Sequence, residues 1–184
     1  MENNKVGDEK IMGYKYLYTG DGGGKTTNAL GLALRAIGHK HKVLMVQLMK
    51  WDTNTGEYQA QFMEGIKDYF VVKQYGRNGW HGFSSLNRKD KVRTLEALIE
   101  TWRYVSDNKV DLLILDEVNL AVHCKLLTVD EVKQFLYNIP QSINVVMTGR
   151  HASPELMELV DFVNEIVIIK APEEDMVCDE GIQY

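Results

Sequence analysis

Residues 16–27, which read YLYTGDGGGKTT, constrain the fold more than any other part of the chain. The segment 14–18 is typical of a short strand, and 26–37 has the apolar spacing of a helix that stops at Gly38. The four glycines between them let backbone N–H groups point at phosphate oxygens, and the start of the helix adds its positive end. Strand, glycine loop and helix in this order predict a phosphate-binding loop.

Two side chains at the end of this loop carry its chemistry. Lys25 supplies a mobile cation, and the Thr26 hydroxyl can bind magnesium. The strict spacing G-x-x-x-x-G-K-[ST] would place its first glycine at position 19, so Thr19 makes this loop a variant. The structural alternative is a glycine-rich turn with a surface lysine, which the strand and helix on either side disfavour. The predicted ATP-binding residues of the loop are Thr19, Gly20, Asp21, Gly22, Gly23, Gly24, Lys25, Thr26 and Thr27.

A second pattern, LLILDE (112–117), is an apolar strand that ends in two carboxylates, Asp116 and Glu117. Ligands of open parallel sheets bind at this end of the strands. We expect magnesium, or manganese, on Thr26, Asp116 and Glu117, directly or through water. The alternative is a charge pair that merely ends a strand. The two patterns together predict ATP or GTP binding, but they leave open whether the terminal phosphate is transferred.

Further apolar runs alternate with helical patterns along the chain, which predicts an α/β fold. We expect a mostly parallel, doubly wound sheet of about six strands with helices on both faces. Residues 1–13 are predicted to be a mobile N-terminal arm, and 14–184 a single P-loop nucleotide-binding domain. The other predicted strands are 43–48, 69–73, 143–149 and 163–170. Asn87 is predicted to cap the next helix, whose predicted apolar face is Val92, Leu95, Ile99 and Trp102 with Leu98 and Val105 beside it.

Composition excludes several classes of protein. The 184 residues are 45% apolar and 26% charged with a net charge of -5, which argues against a nucleic-acid partner. No apolar run approaches the roughly 20 residues of a membrane span, and the N-terminus lacks the apolar core of a signal peptide. Cys124 and Cys178 are far apart and form no CxxC pair. We therefore expect a cytoplasmic protein with reduced thiols, no structural zinc and no membrane association.

The motifs resemble those of a known family, the P-loop-type corrinoid (cobalamin) adenosyltransferases, from about Tyr16 to Tyr184. That family's loop typically reads TGxGxGKTT, so Thr19 is the family's own variant. The resemblance implies a RecA-like P-loop fold and an enzyme of cobalamin biosynthesis. The matching segments, in family order, are YTGDGGGKTTNALGLALRAIGH, VQLMK with the later Gly56-Glu57, LLILDEVNLAV, VVMTGRHA and GIQY.

In this family the phosphates are not transferred to an acceptor. The resemblance implies that cobalt(I) of a reduced corrinoid attacks the ribose C5′ of ATP, forms a Co–C bond and displaces triphosphate. Because the metal is the nucleophile, no side-chain base is needed. Lys25, Thr26 and Glu117 become the implied catalytic residues, which stabilise the departing charge together with magnesium. Arg35 and Arg150 are further candidates for phosphate or nucleotide contact.

The resemblance also implies a site for the corrin ring, which makes 14–184 a single nucleotide- and corrinoid-binding domain. Trp80 and Phe83 are the implied aromatic residues near the lower face of the cobalt, and Glu57 is assigned to the same site. Excluding the axial ligand there makes reduction of cobalt(II) to cobalt(I) feasible. The structural alternative is that both aromatics simply pin a loop to the core. The family further implies a homodimer and a flavodoxin or reduced-flavin electron donor.

Two other functions stay open at this level. One is a P-loop kinase or ATPase that acts on another small substrate. The other is a non-catalytic, nucleotide-gated module that binds a corrinoid.

Overall fold

The structure is a computed structural model that describes residues 12–79, 85–172 and 180–182. All strand pairs in it are parallel, in the spatial order third, second, fourth, fifth, first, sixth. The predicted α/β fold with a parallel sheet of about six strands is confirmed. The strands are β1 (Lys15–Thr19), β2 (Val43–Leu48), β3 (Phe70–Tyr75), β4 (Leu112–Asp116), β5 (Asn144–Thr148) and β6 (Phe162–Glu165).

Helices cover both faces of the sheet, so the central strands are buried on both sides. All six residues of β2 are buried. Alternate residues of β2 enter two separate hydrophobic clusters. Met45 belongs to the cluster that contains Ala29 and Ala33, and Leu44 to the one that contains Ala97 and Phe135. The helices are α1 (Lys25–Gly38), α2 (Gly56–Ala60), α3 (Arg88–Asp107), α4 (Val118–His123), α5 (Val129–Asn138) and α6 (Pro154–Met157).

The predicted apolar face of α3 is only partly buried: Leu98 and Val105 are 6% and 3% exposed, as predicted. Its Asn87 cap is present as a capping box, yet Val92, Ile99 and Trp102 are 46%, 50% and 44% exposed. Thr94 and Thr101 are among the residues that face the core instead, together with small and apolar neighbours. Each threonine hydroxyl donates to the carbonyl four residues earlier, at 2.8 and 2.6 Å, so burying it leaves no polar group unpaired.

The last strand is shorter than predicted. β6 ends at Glu165, whereas the apolar pattern predicted a strand through 170. Ile166 instead forms two backbone hydrogen bonds at the glycine loop. Its N–H donates to Thr19 O at 2.9 Å, and its carbonyl accepts from Gly22 N–H at 2.8 Å. The end of β6 therefore becomes part of the wall behind the loop. Among the described helices, none has both the length and the apolar character that crossing a bilayer requires.

Candidate active site

The glycine loop, the end of β4 and the turn after β5 border one cavity of about 600 Å³. The loop follows β1, whose neighbour β5 pairs in turn with β4, so the polar ends of three adjacent strands meet at this edge. Predicted site residues from four separate parts of the sequence share this cavity. Its lining includes Gly22, Gly23, Gly24, Lys25, Thr26, Thr27, Lys50, Glu57, Glu117, Arg150 and Ile182.

The loop glycines serve two different purposes. A Cβ on Gly22 would lie 2.7 Å from Ile166 Cγ2, and Gly20, at φ 95°, backs onto the same residue. A Cβ on Gly23 would meet nothing within 4 Å. Gly20 and Gly22 thus let the chain after β6 pack closely, whereas Gly23 leaves the cavity open.

Thr19, the residue that departs from the strict loop pattern, is 5% exposed. Its hydroxyl oxygen accepts a hydrogen bond from Ala152 N–H at 3.2 Å. Ala152 follows Arg150 by two residues, so Thr19 ties the start of the glycine loop to the turn that carries this arginine. A glycine at position 19 could not make this contact.

Lys25 lies folded into its own loop. Its Nζ donates to Gly22 O at 2.6 Å and to Gly20 O at 2.8 Å, and the residue is only 8% exposed. Burial lowers the pKa of this ammonium, and the nearby charge of Arg150 lowers the same pKa further. The lysine side chain therefore holds the loop in a closed ring that phosphate oxygens would have to open.

Asp116 is fully buried and is held by four side chains. Its Oδ1 accepts from Thr148 Oγ1 at 2.6 Å and from Thr26 Oγ1 at 2.9 Å. Its Oδ2 accepts from Gln47 Nε2 at 3.1 Å and lies 2.7 Å from Lys50 Nζ. The carboxylate is thus compensated on both oxygens, as a charge with no exposure to water requires.

Glu117 has a strained backbone and an unpaired side-chain oxygen. It is the N-cap residue of α4 and has φ 64°, in the left-handed region that side-chain-bearing residues rarely adopt. Its Oε2 is buried and has no hydrogen-bond partner among the described residues. Burial raises the pKa of this carboxyl, and the neighbouring charge of Asp116 raises the same pKa further.

These oxygens suit a hard divalent cation. The Thr26 hydroxyl lies 2.9 Å from Asp116 Oδ1, and Glu117 contributes the unpaired buried oxygen. No group of three or more His, Cys, Asp and Glu side chains in the described ranges could hold a metal by itself. A cation here would therefore draw its remaining ligands from phosphates or water, as magnesium commonly does.

Sequence reasoning missed Gln47, Lys50 and Gln74. Gln47 Nε2 donates to Glu57 Oε1 at 2.8 Å as well as to Asp116, and Gln47 Oε1 accepts from Gln74 Nε2 at 2.9 Å. One signal was available for Gln47, because it is the only polar residue in the apolar run 43–48. Lys50 belongs to the segment VQLMK, but nothing in the sequence showed that its side chain reaches Asp116.

Among the remaining predicted site residues, the structure describes Arg35 and Asp21 and places neither in the lining of the loop cavity. Arg35 lines a separate cavity of about 300 Å³ together with Tyr18 and Asn28. Gly24 and Thr27 line both this cavity and the loop cavity. Asp21 is exposed. Trp80 and Phe83 lie outside the described residues.

A mostly apolar cavity of about 260 Å³ adjoins the loop cavity. Leu48, Met49, Trp51 and Leu120 form its apolar lining. Three residues, Lys50, Thr55 and Glu117, line both cavities, so the phosphate-binding loop and the apolar surface share one wall.

The segment that precedes α3 starts against the same wall. Gly76 N–H donates to Lys50 O at 2.7 Å, and a Cβ at Gly76 would collide with the backbone of Met49 and Lys50. Arg77 then joins the two described ends of this segment: its Nη2 donates to Ser85 O at 3.0 Å and its Nε to Asp90 Oδ1 at 3.2 Å.

Comparison with known proteins decides what this site belongs to. The sequence matches the family model of ATP:corrinoid adenosyltransferase BtuR/CobO/CobP over residues 12–184. The chain belongs to this adenosyltransferase family. A corrinoid adenosyltransferase of Pseudomonas aeruginosa is 31% identical over 198 residues, which cover all of this chain and 93% of that protein. One from Escherichia coli is 33% identical over 170 residues, or 91% of this chain and 84% of the other.

A solved structure supports the fold of this adenosyltransferase. The KaiC-like protein of Pyrococcus horikoshii superposes with a TM-score of 0.59, over 89% of this chain and 76% of that one. At 14% identity, the likeness concerns the fold alone. The RecA-like P-loop architecture implied by the sequence motifs is thereby confirmed.

Proposed function

We propose that this adenosyltransferase moves the 5′-deoxyadenosyl group of ATP to the cobalt(I) of a reduced corrinoid and releases triphosphate. Membership of the ATP:corrinoid adenosyltransferase family supports the two substrates. The observation that carries the proposal is the wall shared by the loop cavity and the apolar cavity, formed by Lys50, Thr55 and Glu117. With the triphosphate of ATP in the loop cavity and the corrin ring on the apolar side of this wall, the ribose of ATP would lie between them.

In the reaction, the cobalt electron pair forms the bond to C5′ while the bond from C5′ to the triphosphate oxygen breaks. The protein must then stabilise negative charge on the departing triphosphate, which preorganised donors and cations do best. We assign this role to the loop amides, to Lys25 and to Arg150. Magnesium on Thr26, Asp116 and Glu117 would supply further charge neutralisation.

Lys25 must change partners for this role. Its ammonium now donates to the carbonyls of Gly20 and Gly22, inside the ring of the loop. Phosphate oxygens are stronger acceptors than these carbonyls because they are charged. We therefore propose that binding of the triphosphate draws the ammonium away from the carbonyls and opens the loop around the phosphates.

The corrinoid is proposed to approach from the apolar side. Leu48, Met49, Trp51 and Leu120 offer an apolar surface next to the phosphate loop. The segment with Trp80 and Phe83 follows Gly76, whose N–H contacts Lys50 in that wall. Because the chain reaches this wall at Gly76, we propose that the two aromatics face the corrin ring. Glu57, the third residue proposed for that ring, lines the loop cavity.

A homodimeric assembly and a flavodoxin or reduced flavin as electron donor are proposed from the family resemblance. A cytoplasmic location is proposed from the composition and the cysteine spacing. The basic start of α3, with Arg88, Lys89 and Lys91, offers a surface for an acidic donor protein.

An anaerobic spectrum of the protein with Mg-ATP and chemically reduced cobalamin tests the function. We expect a light-sensitive alkylcobalt product and one equivalent of triphosphate. ADP among the products would favour a kinase or ATPase. Tight corrinoid binding without an alkylcobalt product would favour a non-catalytic module.

A further inference from the structure

The ammonium of Lys50 lies among the oxygens assigned to the metal. Its Nζ is 2.7 Å from Asp116 Oδ2 and 3.5 Å from Thr26 Oγ1. Glu57 Oε1 is 4.0 Å away on another side. A lysine cation thus contacts the same hydroxyl and carboxylate that a P-loop protein offers to magnesium.

We infer that Lys50 is a resident substitute for the divalent cation, held on Asp116 in the nucleotide-free protein and displaced when the cation binds. The inference rests on the proposed function only in that a divalent cation accompanies the nucleotide. Magnesium needs its oxygen ligands at about 2.0–2.1 Å. A cation that contacts Asp116 and Thr26 would stand beside Nζ, where two like charges repel strongly.

The burial of Asp116 explains why a substitute is needed. The carboxylate has no exposure to water, and an uncompensated charge in such a place is costly. Lys25 is engaged with the loop carbonyls of Gly20 and Gly22. In the part of the chain that the structure describes, Lys50 is the side chain that forms an ion pair with Asp116.

The geometry leaves Lys50 free to move at its side chain and fixed at its backbone. The Lys50 carbonyl accepts from Gly76 N–H at 2.7 Å, which holds the main chain in place. The side chain is 30% exposed and lines the loop cavity, and Glu57 offers a second carboxylate. A displaced ammonium therefore stays within the cavity that receives the phosphates, and metal binding would deliver one more cation to them.

A titration of the nucleotide-free protein with Mn²⁺ tests whether Lys50 and the divalent cation compete. The loss of the EPR signal of free Mn²⁺ measures binding. We expect Lys50→Met to bind Mn²⁺ at least about tenfold more tightly than the wild type, because the competing cation is gone. Lys50→Arg keeps the charge and should bind within about twofold of the wild type. Equal Mn²⁺ affinity in Lys50→Met and the wild type would overturn the inference.

The matched control is Lys109→Met. Lys109 is 76% exposed and lies 3.6 Å from Asp111, just before β4, whereas Asp116 ends the same strand. This variant removes the same charge near the opposite end of one strand. Its Mn²⁺ affinity should equal that of the wild type. If it rises as much as in Lys50→Met, the effect is one of net charge and the inference fails.

Thermal unfolding gives a second readout that needs no turnover. In chelator, Lys50→Met should melt below the wild type because the buried Asp116 loses its ion-pair partner, and Mn²⁺ should restore most of the loss. The wild type should gain much less from Mn²⁺. A Lys50→Met protein that melts like the wild type in chelator contradicts the inference.

If Lys50→Met does not fold, an NMR measurement on the wild type tests the displacement instead. Mg²⁺ without nucleotide should shift the NMR signal of the Lys50 side-chain Cε, whereas K⁺ at equal ionic strength should not. An unshifted signal at saturating Mg²⁺ refutes the displacement. Adenosyl transfer by the wild type is assayed separately: transfer without the shift rejects only the role of Lys50, and the shift without transfer rejects only the proposed function.

Discussion

The hydroxyl oxygen of Thr19 accepts a 3.2 Å hydrogen bond from the backbone N–H of Ala152, which lies 133 residues further along the chain. Thr19 begins the glycine loop, and Ala152 closes the turn that carries Arg150. The contact joins two parts of the proposed triphosphate site through the residue that departs from the strict loop pattern. Thr19 thus has a structural reason to be other than glycine.

Thr19→Ala should raise the KM for ATP several-fold with little change in kcat. A lost hydrogen bond of about 1 kcal/mol corresponds to roughly fivefold in binding. Steady-state kinetics at saturating corrinoid measure the effect, and Thr19→Ser, which keeps the hydroxyl, is the control. An unchanged KM in Thr19→Ala would mean that the turn with Arg150 is held by other contacts.

Gly22→Ala and Gly23→Ala form a matched pair within the loop. The new Cβ at position 22 would lie 2.7 Å from Ile166 Cγ2, so we expect a loss of about 1–3 kcal/mol in the free energy of unfolding. At position 23 the Cβ meets nothing within 4 Å, and the change should stay within about 0.5 kcal/mol. Chemical denaturation without nucleotide measures both. Equal losses would contradict the close packing of Ile166 on the loop.

Lys25→Ala should lower turnover by about a hundredfold or more, because it removes a cation from the departing triphosphate. Single-turnover formation of the alkylcobalt product measures the loss. Circular dichroism must show that the fold is intact, since the ammonium also holds Gly20 and Gly22 through their carbonyls. Near-normal turnover in a folded variant would remove the proposed charge stabilisation.

Glu117→Gln should stabilise the metal-free protein near neutral pH. Burial and the charge of Asp116 raise the pKa of Glu117 above its ordinary 4.5 in the folded state. The folded protein therefore holds this proton more tightly than the unfolded chain. As the pH rises through 4.5 and past the raised pKa, the wild type loses stability that the glutamine variant keeps.

Thermal melts in chelator across this pH range measure the difference. The advantage of Glu117→Gln should be absent below pH 4.5 and largest above the raised pKa. Added Mg²⁺ should reverse the order, since the wild type keeps the negative oxygen for the cation. A variant that is less stable than the wild type at neutral pH without metal contradicts this reading of the buried carboxyl.

The sequence alone determined those features of the protein that depend on local sequence patterns. The glycine loop between β1 and α1, the alternation of strands with helices, and the Asn87 cap of α3 were all readable, because each depends on residues close together in the chain. The family was readable for the same reason. Its motifs are short segments in a fixed order, and the comparison confirmed them over residues 12–184.

The tertiary structure decided which side chains meet across the sheet. Apolar spacing placed Val92, Ile99 and Trp102 in the core, whereas Thr94 and Thr101 lie there with their hydroxyls bonded to the helix itself. The β6 pattern predicted a longer strand, but packing against the glycine loop ends it early. Both errors have one cause: an apolar residue is buried only if another element covers it, and the pattern of one segment carries no information about its neighbour.

The position of Lys50 shows the same division. The chain order places Asp116 at the end of β4 and Lys50 just after β2, and no local rule relates them. Parallel pairing of these two strands brings their ends together, and the burial of Asp116 then makes a nearby cation necessary. Sequence fixes the chemistry that is present, while strand order and burial decide which charges share one site.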